Sequence, residues 1–142
     1  MGLSIVTQRS SYVSSVSSEG LTWIVYWQFG NTAFPDAQWD DFVLVLANWW
    51  IDEISGLETG ASRCCLCFMD GPYEIKCRVD SEGVVCRAIS DQKTRIVVTT
   101  WRTQVETLVQ IVREYGRQVL QHCDQSGISG RDVDSLRMKL AR

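Results

Sequence analysis

Basic residues are almost missing from the first 62 positions of this 142-residue chain, where Arg9 stands alone against Glu19, Asp36, Asp40, Asp41, Asp52, Glu53 and Glu58, a net charge of -6. That sign argues against a nucleic-acid partner, because binding phosphates requires clustered Lys and Arg to displace counterions. Histidine is nearly absent as well. The single one, His122, adjoins Cys123, but neighbouring helical residues point about 100 degrees apart and do not face each other, so a Cys-His dyad is not expected. No second histidine is available to activate Cys65 or Cys67. Dinucleotide, phosphate-loop, zinc-protease and nucleophile-elbow motifs are all missing, which leaves no catalytic residues to name and favours a noncatalytic protein.

The amino-terminal MGLSIVTQRSS carries no charged leader ahead of an apolar core, and no apolar run approaches the roughly 18 residues of a membrane span. The expectation is a cytoplasmic protein with no membrane contact. Internal repeats and low-complexity linkers are missing too, so residues 1–142 read as one globular domain, long enough to bury a core without staples.

Six cysteines are present, at 64, 65, 67, 77, 86 and 123, and a reducing cytosol keeps such residues as thiols. A structural zinc site usually pairs a CxxC-like knuckle with a second Cys or His pair. Here Cys64, Cys65 and Cys67 fall in one strand, Cys77 and Cys86 in two others, and no second knuckle follows. The residues therefore read as small buried apolar groups, with no metal and no cofactor expected.

The chain is organised around Phe34 to Leu57, which holds three of the six tryptophans. Pro35 and Asp36 resemble a helix start, with Asp36 as N-cap and Asp40 and Asp41 in the early turns, where the macrodipole favours acids. Trp39, Phe42, Val43, Leu46, Trp49, Trp50, Ile54 and Leu57 recur at helical spacing. A rival reading takes Phe42 to Ala47 as a buried strand. The helix is preferred because the pattern runs on to Leu57, too far for a typical strand.

Before this stretch, Leu3 to Val13 and Leu21 to Phe29 read as strands joined by a Ser-rich turn. After Gly60, four segments form a meander: Arg63 to Met69, Tyr73 to Val79, Val84 to Ile89 and Thr94 to Thr99. Tyr73, Ile75, Cys77 and Val79 alternate with Glu74, Lys76 and Arg78, giving one dry and one wet face. A two-residue Asp70-Gly71 turn sets Leu66 opposite Ile75 and Cys64 opposite Cys77. The face rule with another two-residue turn sets Cys77 beside Cys86, which predicts a row of three thiols facing the helices. Trp101 to Cys123 reads as a long amphipathic helix, begun by a Thr103-Glu106 capping box or by Thr100 and stopped by Gly127. Asp132 to Leu140 forms a short last helix. The fold class is α+β: a mostly antiparallel sheet of about five or six strands, with two main helices packed on one face and a short C-terminal helix.

Six tryptophans exceed what one small core commonly needs, and incompletely buried aromatics anchor interfaces. Trp27, Trp49 or Trp50 could supply the anchor, with Asp36, Asp40, Asp41, Asp52 and Glu53 steering a basic partner. The same paired carboxylates also suit a solvated helix flank. FPDAQWDDFVLVLANWW, a meander containing FMDGPY and a long helix ending near a cysteine together resemble the immunity proteins of bacterial polymorphic-toxin and contact-dependent growth-inhibition systems. The resemblance covers mainly residues 34 to 73 and the order of elements. It implies a noncatalytic protein that binds the C-terminal domain of a cognate toxin, a basic nuclease by the charge argument, and occludes its active site or an essential surface; a monomer or weak homodimer is expected. The alternative is a small ligand-binding or hydrolytic α+β enzyme.

Overall fold

The computed structural model describes residues 2–9 and 20–142. Positions 10–13 of the first expected strand and the Ser-rich turn as far as Glu19 lie outside them. The described chain is α+β, with strands β1 (Leu3–Gln8), β2 (Thr22–Phe29), β3 (Thr32–Phe34) and β4 (Asp40–Phe42), helix α1 (Val43–Glu58), strands β5 (Arg63–Cys67), β6 (Tyr73–Asp80), β7 (Gly83–Asp91) and β8 (Arg95–Thr103), and helices α2 (Val105–Gln125) and α3 (Arg131–Leu140).

The strands form two antiparallel sheets of four rather than one of five or six. In the first, β1 runs along one edge of β2, while β3 and β4 share the other, pairing with Trp27–Phe29 and Thr22–Ile24 respectively. The second is the meander β5-β6-β7-β8. What separates them is α1, which occupies the outer edge of β5. Trp50 Nε1 donates to the Cys67 carbonyl at 2.8 Å, and Glu53 Oε1 accepts the Cys65 N–H at 2.7 Å. Backbone groups that would otherwise recruit another strand are satisfied by a helix.

Helix α1 begins at Val43, seven residues after Asp36. Asp36 instead accepts the Gln38 N–H at 2.8 Å, closing a local turn. Asp40 and Asp41 belong to β4, because pairing with Ile24 and Trp23 holds that segment extended. Phe42 stands at the N-cap without a side-chain hydrogen bond. From Val43 onward the helical reading holds, and the strand reading of Val43 to Ala47 fails. Nine residues of α1 are buried on nearly every side, as a helix clasped between other layers must be.

Trp50 is the hub of that burial. Its ring lies 5.7 Å from Trp27, 5.3 Å from Phe68 and 5.3 Å from Tyr115, so it joins β2, the β5–β6 turn and α2. Tyr115 adds a buried bond, its hydroxyl donating to the Val43 carbonyl at 2.7 Å. Burial, with the Asp41 charge nearby, pushes the Tyr115 phenol well above its ordinary range.

The meander register follows the sequence reading. Cys64 pairs with Cys77, Leu66 with Ile75 and Cys77 with Cys86, and these apolar residues are buried. Ser81 and Glu82 form a two-residue turn as expected, whereas residues 68–72 make a longer β5–β6 connection in which the Tyr73 N–H donates to the Gly71 carbonyl. Strand β8 runs to Thr103, past the expected helix start, because Trp101 and Thr103 pair with Cys86 and Val84. Gln104 is the N-cap of α2 without a side-chain capping bond, its amide donating instead to the Glu82 carbonyl at 3.2 Å, so neither threonine caps the helix. Gly127, at φ +69°, stops α2 as expected, with Ile128 N–H closing on the Cys123 carbonyl at 2.9 Å.

Candidate functional site

The acids and tryptophans singled out from sequence disperse. Trp27 is fully enclosed against Phe29 and Trp50, so it packs the core and presents nothing to a partner. Asp41 is 1% exposed, and its carboxylate accepts three N–H groups: Trp39 Nε1 at 2.9 Å, the Phe42 amide at 2.7 Å and the Asp70 amide at 3.2 Å. It fastens β4 to the β5–β6 turn. Glu53 holds the β5 edge, as above. Asp52 remains exposed but pairs with Lys139 of α3 at 2.9 Å. Asp36 and Asp40 are exposed, and Trp49 on α1 is 42% exposed. Trp23 and Trp50 are buried, and Trp39 and Trp101 pack half-buried against the core.

His122 and Cys123 behave as their spacing requires. The imidazole meets the edge of the Trp23 ring at 5.0 Å, and Cys123 is enclosed. Partial burial and the Arg9 charge lower the His122 pKa, while burial and the Asp124 charge raise that of Cys123.

A second surface has more concentrated chemistry. On the outer face of the meander, Arg63 stands directly opposite Arg78, and Lys76 opposite Arg87. These residues line a hollow of about 680 Å³, together with Glu53, Cys65, Asp80 and Val85. Like charges in direct cross-strand opposition repel. Among the described residues, Arg63, Arg78 and Arg87 make no ion pair; Lys76 approaches Glu74 only at 3.9 Å. At the rim, Arg102 binds Asp80 at 2.7 Å, and that hydrogen bond is the main cause holding the Asp80 carboxyl down to about 2. The signal for this patch was present in the wet face of β6 and in the register, which together dictate both oppositions.

The five thiols of the meander divide by sheet face. Cys64, Cys77 and Cys86 form the buried inward row, with 3.5 Å between the sulfurs of Cys77 and Cys86. Hydrogen bonds to Cys64 and Cys86, with burial, push the Cys77 thiol far up. Cys65 and Cys67 point outward and are half-buried. Their sulfurs lie 3.5 Å apart, and Cys65 Sγ is 3.3 Å from Glu74 Oε2. Burial and these hydrogen bonds raise the Cys65 pKa.

No helix among the described residues is long and apolar enough to cross a membrane. Comparison of the chain with protein-family models, with curated proteins and with solved structures finds no match.

Proposed function

We propose that the chain is a noncatalytic binding protein of the immunity kind, which occludes a cognate toxin domain through a face centred on α1. Trp49 carries the reading. It is a large, rigid aromatic left 42% exposed on a helix that is otherwise mostly buried, and such side chains dominate interface energetics. Asp52, three residues on and adjacent on the helix surface, is taken up by Lys139, so the acids left to meet a partner are Asp36 and Asp40, exposed and nearby in sequence. These acids suit a basic partner such as a nuclease domain, whose approach they would accelerate.

Titration calorimetry against the toxin domain encoded beside its gene, at two salt concentrations, tests the reading. Nanomolar or tighter binding, weakened by salt, is expected. Trp49→Ala should lower affinity by roughly 30-fold, about 2 kcal/mol, while leaving the fold intact. Failure to bind, or unchanged affinity in the variant, would remove the reading.

The opposed pairs Arg63/Arg78 and Lys76/Arg87 favour a second reading, in which the hollow takes a small multiply charged anion that relieves their repulsion. Inorganic pyrophosphate should then raise the thermal midpoint of the protein but not of Arg78→Glu. Equal midpoints with and without pyrophosphate would eliminate it.

A further inference from the structure

We propose that Cys65, Cys67 and Glu74 form a binding site for a thiolate-seeking divalent cation of the zinc class, independent of the toxin-binding reading. One sulfur from each cysteine and one carboxylate oxygen lie within 4.8 Å of one another. The spacings agree with a tetrahedral set. With metal-sulfur and metal-oxygen bonds of about 2.3 and 2.0 Å, two sulfurs on one zinc stand about 3.8 Å apart, and sulfur and oxygen about 3.5 Å. The corresponding separations here are 3.5 Å between the sulfurs and 3.3 Å from Cys65 Sγ to Glu74 Oε2. Two of the three edges thus lie within a few tenths of an ångström of a coordinated set, and the third, from Cys67 Sγ to Glu74, lies within 4.8 Å.

The supporting shell is in place as well. Glu74 divides its two oxygens: Oε1 faces Arg95 at 3.5 Å and Lys76 at 3.9 Å, while Oε2 faces the Cys65 thiol. Outer partners of this kind fix a carboxylate ligand in orientation. The backbone beneath the sulfurs is held on both sides. Strand β6 pairs with it along one edge; on the other, Glu53 accepts the Cys65 N–H at 2.7 Å and Trp50 donates to the Cys67 carbonyl at 2.8 Å.

That rigidity also protects the dithiol. Residues two apart on a strand have Cα atoms about 6.8 Å apart, whereas a relaxed disulfide prefers about 5.5–6 Å. Joining Cys65 to Cys67 would require shortening a strand that is bonded on both edges. On metal binding the two thiol protons leave to solvent, and the resulting two thiolates and one carboxylate around a doubly charged cation carry one net negative charge. Lys76 and Arg95 offset it. The fourth position falls to water, which distinguishes this set from a closed four-ligand structural site.

The test uses the reduced full chain with cobalt(II) as a spectroscopic probe, followed by zinc competition against a chromophoric chelator. The expected result is a sulfur-to-cobalt charge-transfer band with tetrahedral visible bands, displaced by zinc. Cys65→Ser or Cys67→Ser should abolish the band and weaken zinc binding by more than the roughly 10–100-fold that loss of an outer partner costs. Cys64→Ala, on the opposite face of the same strand, should retain both. Circular dichroism of each variant checks its fold. No charge-transfer band in the unmodified chain, or a band that survives Cys65→Ser and Cys67→Ser, would overturn the proposal.

Discussion

The acids of the first half and the bases of the meander face invert the impression their sequence gives. Between Asp36 and Glu58, most of the carboxylates are engaged within the fold: Asp41 by three N–H donors, Glu53 by the β5 edge, Asp52 by Lys139 and Glu58 by Arg113 at 2.8 Å. Across the outer meander, Arg63, Arg78 and Arg87 make no ion pair among the described residues, although that half of the chain is only mildly positive. Net charge per segment therefore says little about which charges are free to meet a partner. What decides it is whether a donor of opposite character lies on the element packed alongside.

The contrast is most exposed at Asp41. Asp41→Ala would leave three N–H groups without their acceptor, two of them at the junction of β4 and the β5–β6 turn, and should lower stability by on the order of 3 kcal/mol in chemical denaturation. Asp40→Ala, its exposed neighbour, should change stability by no more than about 0.5 kcal/mol. Equal effects at the two positions would erase the distinction between engaged and free acids. Glu53→Ala comes next, at about 1–2 kcal/mol, since it removes one charge-assisted bond to the half-buried Cys65 amide.

On the basic side the sign reverses. Arg78→Glu turns a like-charge opposition with Arg63 into an attractive one and should stabilise the protein by about 0.5 kcal/mol, read as a rise in thermal midpoint. A fall would mean that Arg78 has a favourable role within the fold. The smallest effect is at the rim. Asp80 titrates at about 2 in the folded chain against 3.8 ordinarily, the Arg102 hydrogen bond being the main cause. A lowered folded pKa makes this contribution fully present above pH 3.8 and lost as pH falls towards 2. Asp80→Asn should flatten the midpoint across that interval; an unchanged acid slope would contradict it.

Much of the architecture is legible in the sequence. Period-two alternation in Tyr73–Val79 specified the register and the inward thiol row of Cys64, Cys77 and Cys86, because one face had to be dry, even though the β5–β6 connection is longer than the two-residue turn expected at Asp70-Gly71. Helical spacing located the bodies of α1 and α2. Their starts were less legible, since strand pairing reached past the local signals: Asp40–Phe42 joined β2, and Trp101–Thr103 joined β7. Division into two sheets could not be inferred, as it depends on Trp50 and Glu53 reaching across to β5. The site was least legible for the same reason. Trp27 and Trp49 are both tryptophans in apolar surroundings, and nothing in either neighbourhood says which one the second layer covers. The outward pair Cys65 and Cys67 looked like buried thiols until the carboxylate of Glu74, seven residues after Cys67, was brought beside them by the turn.

The functional account turns on Trp49 being covered by a partner. Acrylamide quenching of tryptophan fluorescence, measured for the chain and for Trp49→Phe with and without the toxin domain, addresses this directly, because Trp49 is exposed while the other five indoles are buried or half-buried. The account predicts that quenching of the unmodified chain falls on complex formation to the level of Trp49→Phe. A complex in which Trp49 remains as quenchable as in the free chain would contradict it.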